Sequence, residues 1–318
     1  MTVLILAREF DPTVDAVVAA LTERNVPVFR TDLRNFPRWL GLEARLRNGR
    51  WAGRLWTEHR NVELSEVRSI WNRNPSSYAF LPSMTPEERD FADREARLGF
   101  GGVLASLDVL WANHPNRCAD AIFKPYQWRV AAECGLSVAD TVITNDPASV
   151  LRFMDQRDAT ITKALGPSGI TENGERKVAY TRLLTDDDLA DIGCVSVTAT
   201  TVQEFVPKAF EVRLTVIGEQ WFPVAIHAAT DSAHTDWRSD PTALSYEFVQ
   251  VPESVTDGVS WFVKRANLAY AGLDFVVTPD EKWVILEANS GPQFGWLEAA
   301  TGAPMVAAMA NLLMRGNA

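Results

Sequence analysis

A chain of 318 residues with 47% apolar and 23% charged side chains can bury a sizeable core, and it is long enough for two or three lobes. Its net charge of −10 excludes a broad nucleic-acid or anionic-membrane surface, so neither a nucleic acid nor a membrane is expected as a partner. No run approaches the roughly 18 apolar residues of a membrane span, and the opening "TVLILA" is too short for a signal peptide. Cys118, Cys134 and Cys194 lack any CxxC spacing, which argues against a zinc site or disulfide framework and suits a cytoplasmic location.

In chain order, "TVLILAREFDPTVDAVVAALTERNVPVFRTDL" predicts strand, helix and strand, with Val14, Val17, Val18 and Leu21 as the helical stripe. No GxGxxG follows the first strand, so nothing there points to a dinucleotide. "LEARLRNGRWAGRLWTE" predicts a hairpin with turns at "NGR" and "AGR". "VRSIWNRNP" reads as a strand, and "TPEERDFADREARLGFGGVLASL" as a helix opened by a Thr cap and Pro. The first lobe is expected to close near Trp111. A helix interrupted at Pro125 is expected over Arg117–Gly135. Next come the strand "DTVITND", a helix over "PASVLRFMDQ", the strand "ATITKAL" and the glycine-bearing "GPSGITENGERKVAYTRLL". "TDDDLADI" reads as a solvated acidic helix start. The remainder is mostly β, until a helix over "GVSWFVKRANLAYAG" leads into "GLDFVVTPDEKWVILEANSGPQFGWLE".

That last stretch carries the first chemical signal. With "PDEK" as a four-residue hairpin loop, Thr278 faces Trp283, Val277 faces Val284, Phe275 faces Leu286 and Asp274 faces Glu287. Two carboxylates opposed about 5 Å apart repel each other, and among Phe, Val and Ile they need a neutralising partner. Asn289 shares the face of Glu287. Oxygen ligands of this kind suit Mg²⁺, which completes its shell with phosphates and water. Read singly, an acid at a strand end is equally a solvent-facing residue.

A polyphosphate needs cations. Lys163 ends a strand expected to be buried, and "LGPSG" follows with backbone N–H groups able to approach phosphate. Lys124 in "AIFKP" is a weaker second candidate. In "VQEFVPKAFEVRLTV", Glu211 and Arg213 share one strand face, and Glu204 ends the preceding strand. An acid can accept from ribose hydroxyls, and an arginine can fork onto a phosphoryl group. The same pair could instead meet across a surface.

The order Lys, glycine-rich stretch, Glu-x-Arg, Asp, Glu-x-Asn resembles the ATP-grasp ligases, and most closely the ribosomal-peptide maturases of the graspetide or microviridin type. "SIWNRNPSSY" and "HTDWRSD" resemble their peptide-side segments, whereas "NSGPQ" departs from the family's more usual run. The resemblance implies a mixed α/β and α+β fold with ATP between two antiparallel sheets. It divides the chain into a pre-ATP-grasp lobe (1–115), a central lid lobe (116–198) and a C-terminal lobe with the metal site (199–318). By the same resemblance Lys124 and Lys163 meet the phosphates, and Gln203, Glu204 and the backbone to Val206 meet the adenine edge. Val202 and Phe205 wall the base, and Glu211 holds the ribose. Asp274, Glu287 and Asn289 bind Mg²⁺, while Arg213 meets the transferring phosphoryl group.

The implied reaction is formation of an acyl phosphate on Asp or Glu side chains of a leader-bearing precursor peptide. Capture by Ser/Thr or Lys then gives intramolecular ω-esters or ω-amides. Trp and Arg are favoured interface anchors, so Trp71, Arg73, Trp237 and Arg238, with Asp236, are candidate peptide contacts. His227 and His234 receive no catalytic role. A homodimer is expected from the family alone. Two other readings remain: an intermolecular ligase adding a free amino acid, and a non-catalytic ATP-binding protein.

Overall fold

The computed structural model describes residues 1–166, 169–230 and 236–316. The first strand, Thr2–Ala7, is buried along its length and lies between Val28–Thr31 and Val67–Arg73, with Leu110–Ala112 beyond. All pairs in this sheet are parallel, as expected for near-continuous apolar strands covered on both faces. The helix Pro12–Glu23 starts where the Asp11 carboxylate accepts from the N–H groups of Thr13 and Val14, satisfying two end donors. The second helix, Pro86–Ala96, has the expected Thr85 cap with Glu88 closing a capping box.

The predicted hairpin forms from Gly41–Arg47 and Arg50–Trp56 around the left-handed Asn48 and Gly49. The second expected turn, at "AGR", does not. Gly53 stays inside the strand, where a Cβ would lie 1.9 Å from the Glu43 carbonyl oxygen, so this glycine serves close backbone approach rather than reversal.

One face of the parallel sheet does not end the first lobe. Val3, Ile5, Val14 and Trp71 share a core with Ile217, Phe222, Tyr270, Phe294, Met305 and Leu313. The C-terminal helix Met305–Arg315 therefore packs back onto the N-terminal lobe, burying apolar surface that neither lobe could cover alone. Asn113, 1% exposed, ties the same junction. Its amide donates to the carbonyls of Tyr270 and Ser290 at 2.6 Å each, and its oxygen accepts from Ala269 N–H at 2.6 Å.

A six-stranded sheet carries the larger lobe in the order Leu244–Phe248, Gln220–Ala228, Phe210–Ile217, Tyr270–Val277, Trp283–Asn289, Ser137–Val138. A smaller antiparallel sheet runs Arg182–Leu183, Thr160–Thr162, Thr200–Glu204, Thr141–Thr144. Thr200–Glu204, expected to open the C-terminal lobe, belongs to this small sheet, so the lid sheet continues to Glu204. The segment around Pro125 is two helices, Pro115–Ala121 and Lys124–Glu133. Pro125 sits in the first turn of the second, where a missing N–H is harmless. Those helices, expected with the lid, pack on the large sheet instead. The helix Glu253–Ala266 ends earlier than expected, at Asn267 in the left-handed conformation. Among the described residues no helix is long and apolar enough to cross a membrane.

Candidate active site

A cleft lies between the two sheets, lined by Ile161, Lys163, Thr181, Gln203 through Val206, Lys208, Glu211, Asp236, Arg238, Val276 and Leu286. Its floor follows from strand alternation. On Phe210–Ile217, Val212, Leu214 and Val216 enter the apolar core, which turns Glu211 and Arg213 to the other face. On the neighbouring strand Leu273, Phe275 and Val277 do the same, leaving Asp274 and Val276 beside them. The register pairs Arg213 with Asp274 and Glu211 with Val276.

The hairpin reaches the expected result by an unexpected route. Its loop is longer by one residue, closed by Thr278 N–H on the Lys282 carbonyl at 3.0 Å. Val277 therefore faces Trp283 and Phe275 faces Ile285. A bulge between Asp274 and Phe275 then restores Asp274 opposite Glu287. Gly272 is required next to it: a Cβ there would approach Pro292 to 2.8 Å and Arg213 Cδ to 3.3 Å.

Cations neutralise the two carboxylates. Arg213 forks onto Asp274 through Nε and Nη2, the latter at 2.9 Å, and both residues are almost fully buried. Arg238 Nη2 lies 3.3 Å from Asp274 and 3.5 Å from Glu287. Lys124 Nζ contacts Glu287 Oε2 at 2.9 Å and donates to the Leu165 carbonyl at 3.0 Å. Burial pushes the Asp274 carboxyl up, with Arg213 and Arg238 opposing. Burial also acts upward on Glu287, but Lys124, Arg238 and Arg213 outweigh it and hold the group down at about 2. The Lys163 ammonium sits 5.1 Å from the centre of the Trp128 ring. Burial lowers it to about 8, against the attraction of Glu287.

Toward the other end, Lys208 pairs with Glu211, whose carboxyl burial drives upward against that lysine. Gln203 is buried and donates to Thr141 Oγ1 at 2.7 Å, and Glu204 accepts from Asp140 N–H at 3.0 Å. Phe205 and Val206 line the cleft. Val202, expected to wall the same space, faces the lid's own small core with Val150 and Val195, because it alternates with Gln203.

The cleft thus unites Lys163, Gln203, Glu204, Val206 and Glu211, with Lys124, Arg213, Asp274 and Glu287 at its charged end. Asn289 Nδ2 lies 3.4 Å from Glu287 Oε1. Asp236 and Arg238, expected on the peptide, come to this cleft: Asp236 accepts the Thr181 N–H of the lid at 3.2 Å and caps Arg238. Trp237 stacks on Trp296 at 5.3 Å, with Arg238 over its ring. Trp71 is 0% exposed and stacks on Phe294. Arg73, 2% exposed, lies 3.4 Å from Asp11 and donates to the Gly291 carbonyl at 3.1 Å. Both belong to the lobe junction beneath the surface, because their strand is central and its face is covered by the C-terminal helices. His227 pairs with Glu247 on the outer strands. His234 and the Pro167–Ser168 part of "LGPSG" lie outside the described residues.

Sequence reasoning missed Lys208, Thr181, Ile161, Val276 and Leu286. Val276 was readable, being two residues from Asp274 on a strand. Leu286 was not, since a four-residue loop sets it opposite Phe275 on the core face, and the loop is one residue longer.

Among the described residues no group of three or more His, Cys, Asp or Glu side chains could hold a metal ion. The hairpin offers instead two carboxylates and an amide oxygen. This hard-oxygen set fits Mg²⁺ only as part of a complex that brings phosphate oxygens of its own.

Residues 2–118 match the MvdD pre-ATP grasp domain family. No curated protein matches the chain by sequence. In fold it is similar to a RiPP-associated ATP-grasp ligase of Chryseobacterium gregarium in complex with ADP and a leader and core peptide (TM-score 0.90, 22% identity, 99% of this chain and 96% of that one). It is likewise similar to macrocyclase MdnC of Microcystis aeruginosa MRC, bound with precursor peptide MdnA (0.87, 27%, 99% and 100%). A third match is the ATP-grasp ligase PsnB complexed with a phosphomimetic variant of minimal precursor, Mg and ADP (0.76, 20%, 99% and 97%). With its two sheets closing on a cleft of lysines, arginines and paired carboxylates, the chain has the fold of these ATP-grasp ligases, and its residues 2–118 match the MvdD pre-ATP grasp domain.

Proposed function

We propose that this protein is an ADP-forming peptide ligase that activates Asp or Glu side chains of a ribosomally made precursor and joins them to Ser/Thr hydroxyls or a Lys amine of the same peptide. The observation that carries this reading is the convergence of Lys124, Lys163, Arg213 and Arg238 on Asp274 and Glu287 at one end of a cleft that Ile161, Phe205, Val206, Val276 and Leu286 also wall. The three structural relatives, whose complexes contain precursor peptides and in two cases ADP, support the same substrate pair.

In this reading residues 1–115 form the pre-ATP-grasp lobe, the lid sheet reaches Glu204, and the large sheet supplies the phosphate floor. The backbone from Glu204 to Val206 meets the adenine edge, with Ile161, Phe205, Val276 and Leu286 as its walls. Glu211 accepts from ribose hydroxyls, Lys208 holding its charge. Lys124 and Lys163 meet the phosphates. Asp274, Glu287 and Asn289 would hold Mg²⁺, which when bound offsets charge on the β- and γ-phosphate oxygens.

A carboxylate oxygen of the peptide attacks the γ-phosphorus, and the bond to the bridging oxygen of ADP breaks. Arg213 and Lys163 stabilise the charge that spreads over the transferring oxygens. Arg238, spanning both carboxylates and stacked on Trp237, stands between the phosphate end and the side where a peptide enters. The hydroxyl or amine then attacks the acyl carbon, loses its proton, and phosphate departs with both electrons of the acyl bond. Little covalent chemistry falls to the protein; holding carboxylate against phosphoryl group, and then acyl phosphate against hydroxyl or amine, works together with charge stabilisation.

Intact mass of a small acidic peptide encoded beside the gene tests this, before and after incubation with enzyme, Mg²⁺ and ATP. Loss of one water per bond with matching ADP is expected. A mass gain that needs added free amino acid would establish intermolecular ligation instead, and nucleotide binding without ADP from any carboxylate substrate would leave a non-catalytic binding protein.

A further inference from the structure

Without the bulge, the pairing Phe275–Ile285 would continue as Asp274–Leu286 and Leu273–Glu287. A one-residue slip turns every later side chain to the opposite face, so Glu287 would point into the core that holds Leu273 and Ala288. The bulge is what brings Glu287 into the cleft, and an irregular stretch at a sheet edge needs its polar groups satisfied. The neighbouring strand Ser137–Val138 pairs with Val284 and Ile285 only.

The helix Lys124–Glu133 supplies the rest. Trp128 Nε1 donates to the Leu286 carbonyl at 2.9 Å. Gln127 accepts the Ala288 N–H at 2.8 Å and donates to the Ala288 carbonyl at 2.9 Å. Its amide also donates to the Ala121 carbonyl, which fixes the rotamer. Both side chains are buried, at 4% and 8% exposure. The same helix carries Lys124 to Glu287, and the Trp128 ring faces Lys163.

We infer that Gln127 and Trp128 are positioning residues of the ligase: their hydrogen bonds hold the bulge that aims Glu287 at the metal–phosphate complex, and the Trp128 ring sets Lys163 beside it. This rests on the function proposed above. Neither side chain need touch nucleotide or peptide. Residues that orient a metal ligand from behind typically change metal affinity 10- to 100-fold.

Mn²⁺ is the probe, its uptake in the presence of ADP read from the free-ion paramagnetic resonance signal. Trp128→Phe keeps a ring under Lys163 and removes one N–H. Gln127→Met keeps the volume and removes all polar contacts. Each is expected to weaken Mn²⁺ uptake about tenfold, while metal-free ADP affinity by calorimetry stays within about twofold because the adenine walls are untouched. Tyr126→Phe, exposed on the same helix, should match wild type. A purely structural role would lower the melting temperature and leave the ratio of the two affinities alone, and that result overturns the inference. Should Gln127→Met fail to fold, Trp128→Phe carries the test by itself. Equal Mn²⁺ uptake by wild type and variants overturns the clamp but not the function; no uptake by wild type with ADP overturns both.

Discussion

The two ends of the cleft are built on different principles. At the charged end, Arg213, Arg238 and Lys124 are packed against Asp274 and Glu287 with Lys163 close by, and of these Arg213 and Asp274 are buried. At the other end, Ile161, Phe205, Val206, Val276 and Leu286 form apolar walls beside the Lys208–Glu211 pair. Charge buried in pairs is worth little to stability and can even oppose it, so the crowding at one end is hard to explain as a fold requirement. Apolar walls, in contrast, stabilise whatever they cover. The difference teaches that the charged end is suited to charge arriving from outside, which the function proposed above supplies as phosphate, whereas the walls of the other end are ordinary apolar packing.

The strongest way to break this contrast is Glu287→Gln. Removing one carboxylate charge should lower product formation by about 10²-fold or more, with the circular dichroism spectrum and melting temperature close to wild type. Near-normal turnover would show that the charged end is structural. The next effect is on pH. Lys163 loses its proton at about 8 in the folded protein, below the ordinary 10.5. The unfolded chain keeps that proton longer, so stability should rise with pH between these values while ATP affinity falls as pH passes 8. Lys163→Arg should move the affinity limb upward; an unmoved limb would assign it to another group.

Arg73→Ala probes the lobe junction. It is expected to lower the melting temperature clearly, because Asp11 loses its buried partner and the Gly291 carbonyl its donor, with ADP affinity of the folded protein nearly unchanged. An unchanged melting temperature would mean the arginine does not hold the lobes. The smallest effect is at the apolar end. Leu286→Ala removes a few methyl and methylene contacts, about 1 kcal/mol or fivefold in nucleotide affinity, and should leave Mn²⁺ uptake per bound ADP as it was.

Much of the charged end was legible because charge stands out in strands. Lys163, Glu211, Arg213, Asp274 and Glu287 each interrupt an apolar alternation, and their order resembles that of the ATP-grasp ligases. Asp274 opposite Glu287 was reached through two offsets that cancel: a loop one residue longer than expected and a bulge one residue wide. Neither leaves a mark in hydrophobic periodicity. The neutralising partners were also hidden, since Arg238 and Lys124 come from segments 36 and 163 residues from the carboxylates they meet. Trp71 and Arg73 looked like surface anchors because tryptophan and arginine favour interfaces. Their burial depends on helices that return from residues 295–315, a contact that no local pattern announces.

The central claim is that carboxylates of a peptide are activated through phosphoryl transfer in this cleft. Oxygen-18 placed in the Asp and Glu side chains of the substrate peptide tests it directly, by mass spectrometry of the inorganic phosphate released during ligation. One labelled oxygen per phosphate, in step with each bond formed, is the predicted result, since the acyl oxygen leaves with phosphorus. Unlabelled phosphate accompanying bond formation would contradict the account.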